Sequence, residues 1–313
     1  MSKFTTALEI YRQGGISELF RRAFLYALVY SSLAPSLKSL LGARYHQKAY
    51  MYLNLCYWPQ IREPRTFNEH IMHRKLYTDE DLFSTVEDKW AVREYVTDRV
   101  GVDVLNEVYH MTDDPETIPF EDLPDEYVIK PTHLSGPVEI VDDPKSRDVD
   151  RIKDECRHWL ERSHETVYGE YWYDDIEPRI LVEERLHDDD HTVPLDFKMY
   201  VFDGRVEYIH VDFDRFSEPK RRFFDRDWNP QEFTKDKPIG PEIDEPERLE
   251  EMIKVAERLG EDFDFIRVDL YQPKGERVVF GEMTVAPASG RTGFSPRSYD
   301  FEFGSLWSRV RSS

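Results

Sequence analysis

The segment FIRVDLYQPKGERVVFGEMT, residues 265–284, carries the pattern on which the fold prediction depends. Two apolar runs flank the turn-forming residues 273–275, which predicts a β-hairpin. Asp269 and Glu282 lie 13 residues apart across it, so they can meet on neighbouring strands. Facing carboxylates repel each other unless a cation lies between them. We predict either a hard divalent ion with oxygen ligands here, or an ion pair in which Arg267 neutralises Asp269 while Glu282 is solvated.

Three segments upstream place further charged side chains on or beside short strands. Lys130 ends an apolar run before the small-residue turn 131–136, and an ammonium with backbone N–H groups can surround a phosphate there. In the run 181–186 (LVEERL), exposed backbone groups can pair with an adenine edge, and a carboxylate can accept from ribose hydroxyls. Asp196 and Lys198 share one strand face, as a salt bridge or as a ligand-facing pair. Alone, each segment also fits an ordinary surface lysine, edge strand or ion pair.

Short apolar runs alternate with helical windows along most of the chain. The predicted strands are residues 127–130, 138–141, 179–186, 195–202, 205–212, 265–271 and 277–282, and the predicted helices include 88–100, 148–163 and 246–259. Asp203-Gly204 is a strong hairpin turn, and Thr66 with Glu69 predicts a capping box. Antiparallel pairs with interposed helices favour an α+β fold. Residues 1–60 are predicted to be mostly helical.

In this order, the charged segments resemble the ATP-grasp superfamily. The closest likeness is to the family named for teichuronopeptide biosynthesis, the polysaccharide-associated ATP-grasp proteins, over about residues 65–305. The residues that carry the likeness are Phe67-Asn68-Glu69, Asp88-Lys89, Val92-Arg93-Glu94-Tyr95, Val128-Ile129-Lys130, Pro178-Arg179-Ile180, Asp196-Phe197-Lys198, Asp212-x-Asp214-Arg215-Phe216, Arg267-Val268-Asp269 and Gly281-Glu282-x-Thr284.

The resemblance implies an α+β ATP-grasp fold, in which two lobes grip ATP, with an N-terminal helical extension. We predict an extension over residues 1–62, leading helices and a smaller lobe over 63–186, and a larger lobe with the metal site over 187–313. Two departures from the family pattern stand out. The loop after Lys130 is poor in glycine and contains Pro137, which has no N–H. Thr284 stands where the wider superfamily often has a metal-binding Asn.

The resemblance also implies roles for individual residues with Mg²⁺ and ATP. The expected nucleotide-binding residues are Lys89, Lys130, Ser135, Gly136, Val182, Glu183, Glu184, Asp196 and Lys198. The expected metal ligands are Asp269, Glu282 and Thr284, and the expected catalytic residues are Arg267, Lys198 and Arg291. Residues 286–291 would lie near the acceptor, where Arg291, Arg215, Arg221 and Arg222 would bind an anion or pair with surface carboxylates.

The implied activity is an ATP-dependent carboxylate–amine (or thiol) ligase that works through an acylphosphate, in the biosynthesis of cell-surface polysaccharide. Its partners would be small-molecule or glycan-precursor carboxylates and amines. The alternatives are a glycan-assembly transferase of the glycosyltransferase kind, a small-molecule kinase, or a nucleotide-binding module without catalysis.

Composition excludes some functions. The chain of 313 residues has 63 acidic and 42 basic residues, a net charge of −21, which argues against nucleic-acid binding. An acidic chain with 28 Arg and only 14 Lys suits a halophilic source. Two cysteines 100 residues apart and the lack of a signal peptide predict a cytoplasmic protein. The apolar segment within residues 18–44 predicts either a helix pair packed on the protein or peripheral contact with a membrane.

Overall fold

The computed structural model describes residues 3–29, 31–143, 145, 147–162, 169–187, 194–213, 218–273 and 277–310, with side chains described within residues 15–307. The sequence features at residues 188–190, 214–216 and 274–275, including Arg215, lie outside the described residues.

The described helices are α1 Lys3–Val29, α2 Ala34–Leu55, α3 Phe67–Tyr77, α4 Asp81–Glu87, α5 Val92–Val100, α6 Val149–Glu161, α7 Leu249–Gly260 and α8 Ser298–Val310. The described strands are β1 Val108–Thr112, β2 Tyr127–Pro131, β3 Glu139–Val141, β4 Ile180–Glu184, β5 Asp196–Phe202, β6 Arg205–Phe213, β7 Lys220–Asp225, β8 Thr234–Lys235, β9 Phe265–Tyr271, β10 Val279–Thr284 and β11 Phe294–Ser295. Short 3-10 turns lie at Val102–Val104, Pro115–Thr117, Tyr171–Tyr173 and Pro287–Gly290.

The chain divides into two compact units. The first contains Met1–Thr78, Val167–Gly169 and Ala288–Ser308, and the second contains Asp79–Thr166, Glu170–Pro287 and Arg309–Ser313. The predicted boundaries at residues 62 and 186 stay predictions.

In the first unit, α1 and α2 pack together around a core of apolar side chains. Its buried members are Leu28, Val29, Tyr50, Met51, Tyr57, Ile61 and Met72. Gly15 and Gly42 have positive φ values of 68° and 72° and interrupt the two helices. The predicted capping box is confirmed, because Thr66 accepts from the Glu69 backbone and the Glu69 side chain accepts from the Thr66 backbone. The helical prediction for residues 1–60 is likewise confirmed over most of this range.

The second unit contains a four-stranded antiparallel sheet in the order β1-β4-β2-β3. Helix α6 covers one face, where Ile152, Cys156 and Trp159 join the core formed by Ile129 and Val182. Asp148 caps the helix by accepting from the backbone of Arg151. The predicted hairpin of residues 127–130 with 138–141 is confirmed by the pairing of β2 with β3. We did not predict β1.

The second unit also contains a five-stranded antiparallel sheet in the order β10-β9-β5-β6-β7. The Asp203-Gly204 turn between β5 and β6 is confirmed, with φ values of 48° and 70°. Helix α7 buries Met252, Ala256 and Leu259 among the apolar residues of this unit. A Cβ at Gly260 would come within 2.5 Å of Val201, so glycine permits the close approach of the helix end to β5.

Candidate active site

Asp269 and Glu282 are directly opposite each other in the β9–β10 ladder, as the hairpin spacing predicted. The guanidinium of Arg267 lies between them. It donates to Asp269 from Nε at 2.6 Å and from Nη2 at 2.7 Å, and Nη2 also donates to Glu282 Oε1 at 3.0 Å. The two carboxylates therefore converge, and Arg267 is the cation that separates them here.

The charge network continues onto β5 through Lys198. Lys198 is opposite Asp269 in the β5–β9 ladder, and its ammonium pairs with both Asp269 and Asp196. Burial raises the pKa of Asp269, but the charges of Arg267 and Lys198 outweigh burial and hold this pKa below its ordinary value. Three carboxylates and two cations thus form one continuous network with a formal charge of −1.

Polar side chains continue from the charge network onto β6 and β7. Residues opposite each other in antiparallel strands share one face of the sheet. His210 is opposite Lys198, and Asp212 is opposite both Asp196 and Arg221. The Arg221 guanidinium donates to both oxygens of Asp212, at 2.7 and 3.0 Å. Burial and the charge of Arg221 hold the pKa of His210 well below its ordinary value, so the imidazole is neutral.

A cavity of about 250 Å³ lies beside this network, entirely within the second unit. Its charged lining residues are Lys89, Lys130, Glu183, Glu184, Arg185 and Glu282. Its apolar lining residues include Val128, Val138, Ile140, Leu186, Tyr271 and Phe280. The cavity therefore combines an apolar wall, suited to a flat ring, with cations and a carboxylate from the network.

The two predicted phosphate-binding lysines lie in this cavity in different environments. Lys130 forms an ion pair with Glu183. Lys89 donates to the carbonyl of Leu134 at 2.6 Å and makes no ion pair within the described residues. Burial lowers the pKa of Lys89, which the nearby carboxylate of Glu282 opposes. A half-buried lysine without an acidic partner, in a chain with a net charge of −21, indicates an anionic ligand.

A wider, more open depression of about 560 Å³ shares Asn106 and Glu184 with the cavity. Its cations are occupied: Arg93 donates to the Asn106 side chain at 3.0 Å, and Arg277 donates to Glu184 at 2.7 Å. The cavity that contains Lys89 is the better candidate site, because it also contains Lys130 and the network carboxylate of Glu282.

Only some of the remaining predicted nucleotide-binding residues lie in the cavity lining. Gly136 lines the cavity with a positive φ of 102°, whereas Ser135 is exposed and is not part of the lining. Val182 is fully buried in the core of the small sheet. The idea that residues 181–186 form an edge strand is wrong, because β4 lies between β1 and β2 and its backbone is paired on both sides. The chain leaves both ladders after Glu184, and the next two residues, Arg185 and Leu186, line the cavity.

The predicted anion-binding arginines are engaged in local pairs. Arg221 pairs with Asp212 and Asp236, and Arg222 pairs with Glu242, as the alternative of surface ion pairing predicted. Arg291 belongs to the first unit, where it donates to Tyr50 Oη at 2.9 Å and to the carbonyl of Ala288. Its catalytic role stays a prediction.

Sequence reasoning missed Glu87, a buried carboxylate at the end of α4. Its two oxygens bond to the backbone N–H of Val285, at 2.7 Å, and to the Tyr173 hydroxyl, at 2.6 Å. Burial raises the pKa of Glu87 to about 8, although both hydrogen bonds act to lower it. Glu87 thus fixes the backbone directly after β10, at the residue that follows Thr284. Its partners are distant in sequence, so no local motif could reveal it.

Glu87→Gln should remove a pH dependence of stability. The folded state keeps a proton on Glu87 that the unfolded state loses above its ordinary pKa of 4.5, so stability falls as pH rises from about 5 to about 8. Gln reproduces the protonated form: its carbonyl accepts from Val285 and its NH₂ donates to Tyr173. Urea unfolding should show that the stability of the variant relative to wild type increases across this pH range, by roughly a few kcal/mol. Glu251→Gln on the surface is the control, and a variant that parallels wild type would refute the proton on Glu87.

The oxygen donors suit a magnesium ion. Mg²⁺ prefers one or two carboxylates together with phosphate and water. Glu282 supplies an accessible carboxylate, and Asp269, opposite it, would become a ligand by exchanging Arg267 or Lys198 for the metal. Glu282 is 41% exposed and lines the cavity, whereas Asp269 is fully buried. Thr284 is opposite Arg267 at the end of the same hairpin. Within the described residues, no group of three His, Cys, Asp or Glu side chains could hold a metal alone, so substrate oxygens would complete the coordination.

Two antiparallel sheets, a cavity lined by two lysines, and a row of carboxylates and cations on one sheet agree with an ATP-grasp protein. The chain belongs to the TupA-like ATP-grasp family, whose sequence model matches residues 69–308. The predicted superfamily, the narrower family and the α+β fold with N-terminal helices are confirmed.

Among solved structures, the chain is similar to D-alanine–D-alanine ligase from Bacillus anthracis, with 19% identity, a TM-score of 0.41, and coverage of 74% of this chain and 70% of that one. It is similar to the ATP-grasp ligase PsnB complexed with a precursor variant, Mg and ADP, with 13% identity, a TM-score of 0.42, and coverage of 90% and 73%. VanG D-Ala:D-Ser ligase from Enterococcus faecalis matches with 11% identity, a TM-score of 0.44, and coverage of 74% and 62%. No curated protein sequence matches this chain.

Proposed function

We propose that this protein binds Mg-ATP in the cavity of the second unit and uses it to join a carboxylate to an amine. The observation that supports this proposal most is the position of Lys89. Its half-buried ammonium lines the cavity and forms no ion pair with a carboxylate in the described part of the structure. A triphosphate supplies the missing charge. Membership of the TupA-like ATP-grasp family supports the same ligand.

The cavity lining suggests how the nucleotide is held. Its apolar residues, including Val138, Leu186 and Phe280, suit the adenine ring, and the backbone after Glu184 can pair with the adenine edge. Glu184 can accept from ribose hydroxyls. Lys89 and Lys130 then face the phosphates, which requires Lys130 to exchange Glu183 for phosphate.

The proposed reaction proceeds in two balanced steps. A carboxylate oxygen of the substrate bonds to the γ-phosphorus as the bond to ADP breaks, which gives an acylphosphate and ADP. The amine nitrogen then bonds to the acyl carbon, inorganic phosphate leaves, and the amine loses a proton. A bound Mg²⁺ would neutralise charge on the phosphates. Arg267 and Lys198 contribute fixed positive charge beside the carboxylates of the network.

The match to the TupA-like family supports a role in assembling a surface polysaccharide. The carboxylate would then be a sugar acid or an amino acid. The acidic composition supports a halophilic source, and full activity in dilute buffer would contradict that assignment.

ADP release from the purified chain tests the activity. We expect release that requires both a carboxylate, from a panel of sugar acids and amino acids, and an amine, with formation of an amide detected by mass spectrometry. ADP release without dependence on an amine would indicate a kinase. Mg-ATP binding without turnover, or displacement of ATP by a nucleotide sugar, would overturn the ligase proposal.

Lys130→Met should weaken nucleotide binding at least tenfold, because a charge-assisted contact to phosphate is lost. The measurement is the Kd for Mg-ATP by titration calorimetry. Lys153→Met is a matched control, since Lys130 and Lys153 are each 19% exposed and each pair with a glutamate, but Lys153 lies on α6 outside the cavity lining. Equal affinity for both variants would remove Lys130 from the nucleotide site.

A further inference from the structure

Helix α1 presents an apolar stripe to solvent. Ile16, Phe20 and Phe24 are spaced four residues apart, which places them on one side of the helix, and they are 64%, 59% and 66% exposed. The opposite side of α1 is occupied, because Leu25 and Val29 pack in the core of the first unit, and the series ends at Leu28, which is buried in the same core. The exposed stripe is therefore additional to the packing that holds α1 in place.

Helix α2, which packs on α1, also exposes apolar side chains. Leu33, immediately before the helix, and Leu40 are 61% and 82% exposed, and Leu41 is partly exposed beside the break at Gly42. We call these six residues the apolar face: Ile16, Phe20, Phe24, Leu33, Leu40 and Leu41. Large contiguous apolar surfaces on soluble proteins mark interaction sites.

The charge around the apolar face is opposite to that of the protein as a whole. Residues 1–60 contain seven basic and two acidic residues, whereas the full chain carries a net charge of −21. Arg21 and Arg22 lie on α1 and share a single carboxylate, Glu18. Lys38, Arg44 and Lys48 lie on α2. Apolar side chains among arginine and lysine are typical of helices that lie on anionic membranes.

We propose that the apolar face docks the protein on the surface of an anionic lipid bilayer. The charge complementarity selects this occupant: the acidic remainder of the chain is repelled by anionic headgroups, and the cationic helices are attracted. Self-association of this face with the same face of a second copy would bring two cationic surfaces together. No single described helix is long and apolar enough to cross a bilayer; residues Gly15–Val29 and Ala34–Leu55 meet that test only as a pair, bent by 92°.

The test is vesicle flotation of the full chain at physiological ionic strength. We expect flotation with equimolar phosphatidylglycerol and phosphatidylcholine, and at least tenfold weaker binding to phosphatidylcholine alone. The double variant Phe20→Ser/Phe24→Ser should bind the anionic vesicles at least tenfold more weakly than wild type. Val102→Ser/Ile239→Ser is the control, because both residues are exposed and apolar but lie in the second unit.

Several outcomes would overturn the proposal. One is wild type that stays unbound to anionic vesicles, and another is a Phe20→Ser/Phe24→Ser variant that binds as wild type does. Light scattering could also show a wild-type dimer that this variant dissociates, which would assign the face to a second copy. Equal melting temperatures show that the variant is folded. Equal ADP release without vesicles separates this test from the proposed catalytic function.

Discussion

We expect Glu282→Gln to lower ATP turnover at least 100-fold while the protein remains folded. The carboxylate is the cavity-facing member of the charge network and the only predicted metal ligand in the cavity lining, so its loss removes charge where magnesium would bind. Several kcal/mol of transition-state stabilisation from a metal corresponds to this factor. Gln keeps an oxygen that can accept from Arg267, so the hairpin should keep its structure.

Steady-state ADP release at increasing Mg²⁺ measures this effect. Glu251→Gln is the matched control, because Glu251 is 46% exposed and pairs with Arg248 much as Glu282 pairs with Arg267. The control should retain wild-type turnover, and both variants should melt within about 1 °C of wild type. Wild-type turnover in the Glu282→Gln variant would remove Glu282 from the metal site.

Asp269→Ala should destabilise the second unit by about 3 kcal/mol or more. Asp269 is fully buried and accepts two of the three hydrogen bonds that Arg267 makes to carboxylates, as well as pairing with Lys198. Its removal leaves buried cations with too few partners, which costs more than the pair itself contributes. Thermal and chemical denaturation measure the loss, which should lower the melting temperature by roughly 5–10 °C.

Glu257→Ala is the comparison for Asp269→Ala. Glu257 pairs with Arg226 and accepts from the backbone N–H of Val206, but the two side chains are 24% and 28% exposed, so this substitution should cost about 1–2 kcal/mol, less than Asp269→Ala. A double-mutant cycle with Arg267→Ala would isolate the coupling energy. Equal costs for Asp269→Ala and Glu257→Ala would show that the network contributes no more than a surface pair.

The central hairpin was predictable because its information is local. The apolar runs, the turn and the spacing of Asp269 and Glu282 all lie within twenty residues, and the ladder places these carboxylates opposite each other. A register shift between Phe280 and Glu282 was not predictable, since a bulge leaves no fixed sequence signal. Gly281 lies at this shift, where a Cβ would come within 2.6 Å of the Tyr271 ring.

The position of β4 inside the sheet was less predictable, because the sequence of its neighbour β1 does not have the pattern of a strand. Val108–Thr112 (VYHMT) is partly exposed at every position and does not alternate between apolar and polar residues. Without β1, the run 181–186 looked like a strand with free backbone groups. The adenine-pairing prediction therefore moves from Val182 to the residues after Glu184. The partners of the basic residues at the start of β7 were also not predictable. Arg221 and Arg222 suggested an anion site, whereas the structure shows ion pairs there.

A crystal structure of the chain with Mg²⁺ and a non-hydrolysable ATP analogue tests the central claim most directly. We predict the analogue in the 250 Å³ cavity, with its phosphates within hydrogen-bonding distance of Lys89 and Lys130 and a metal ion that contacts Glu282. An analogue bound elsewhere in the second unit, or a metal ion without contact to Asp269 or Glu282, would contradict this account.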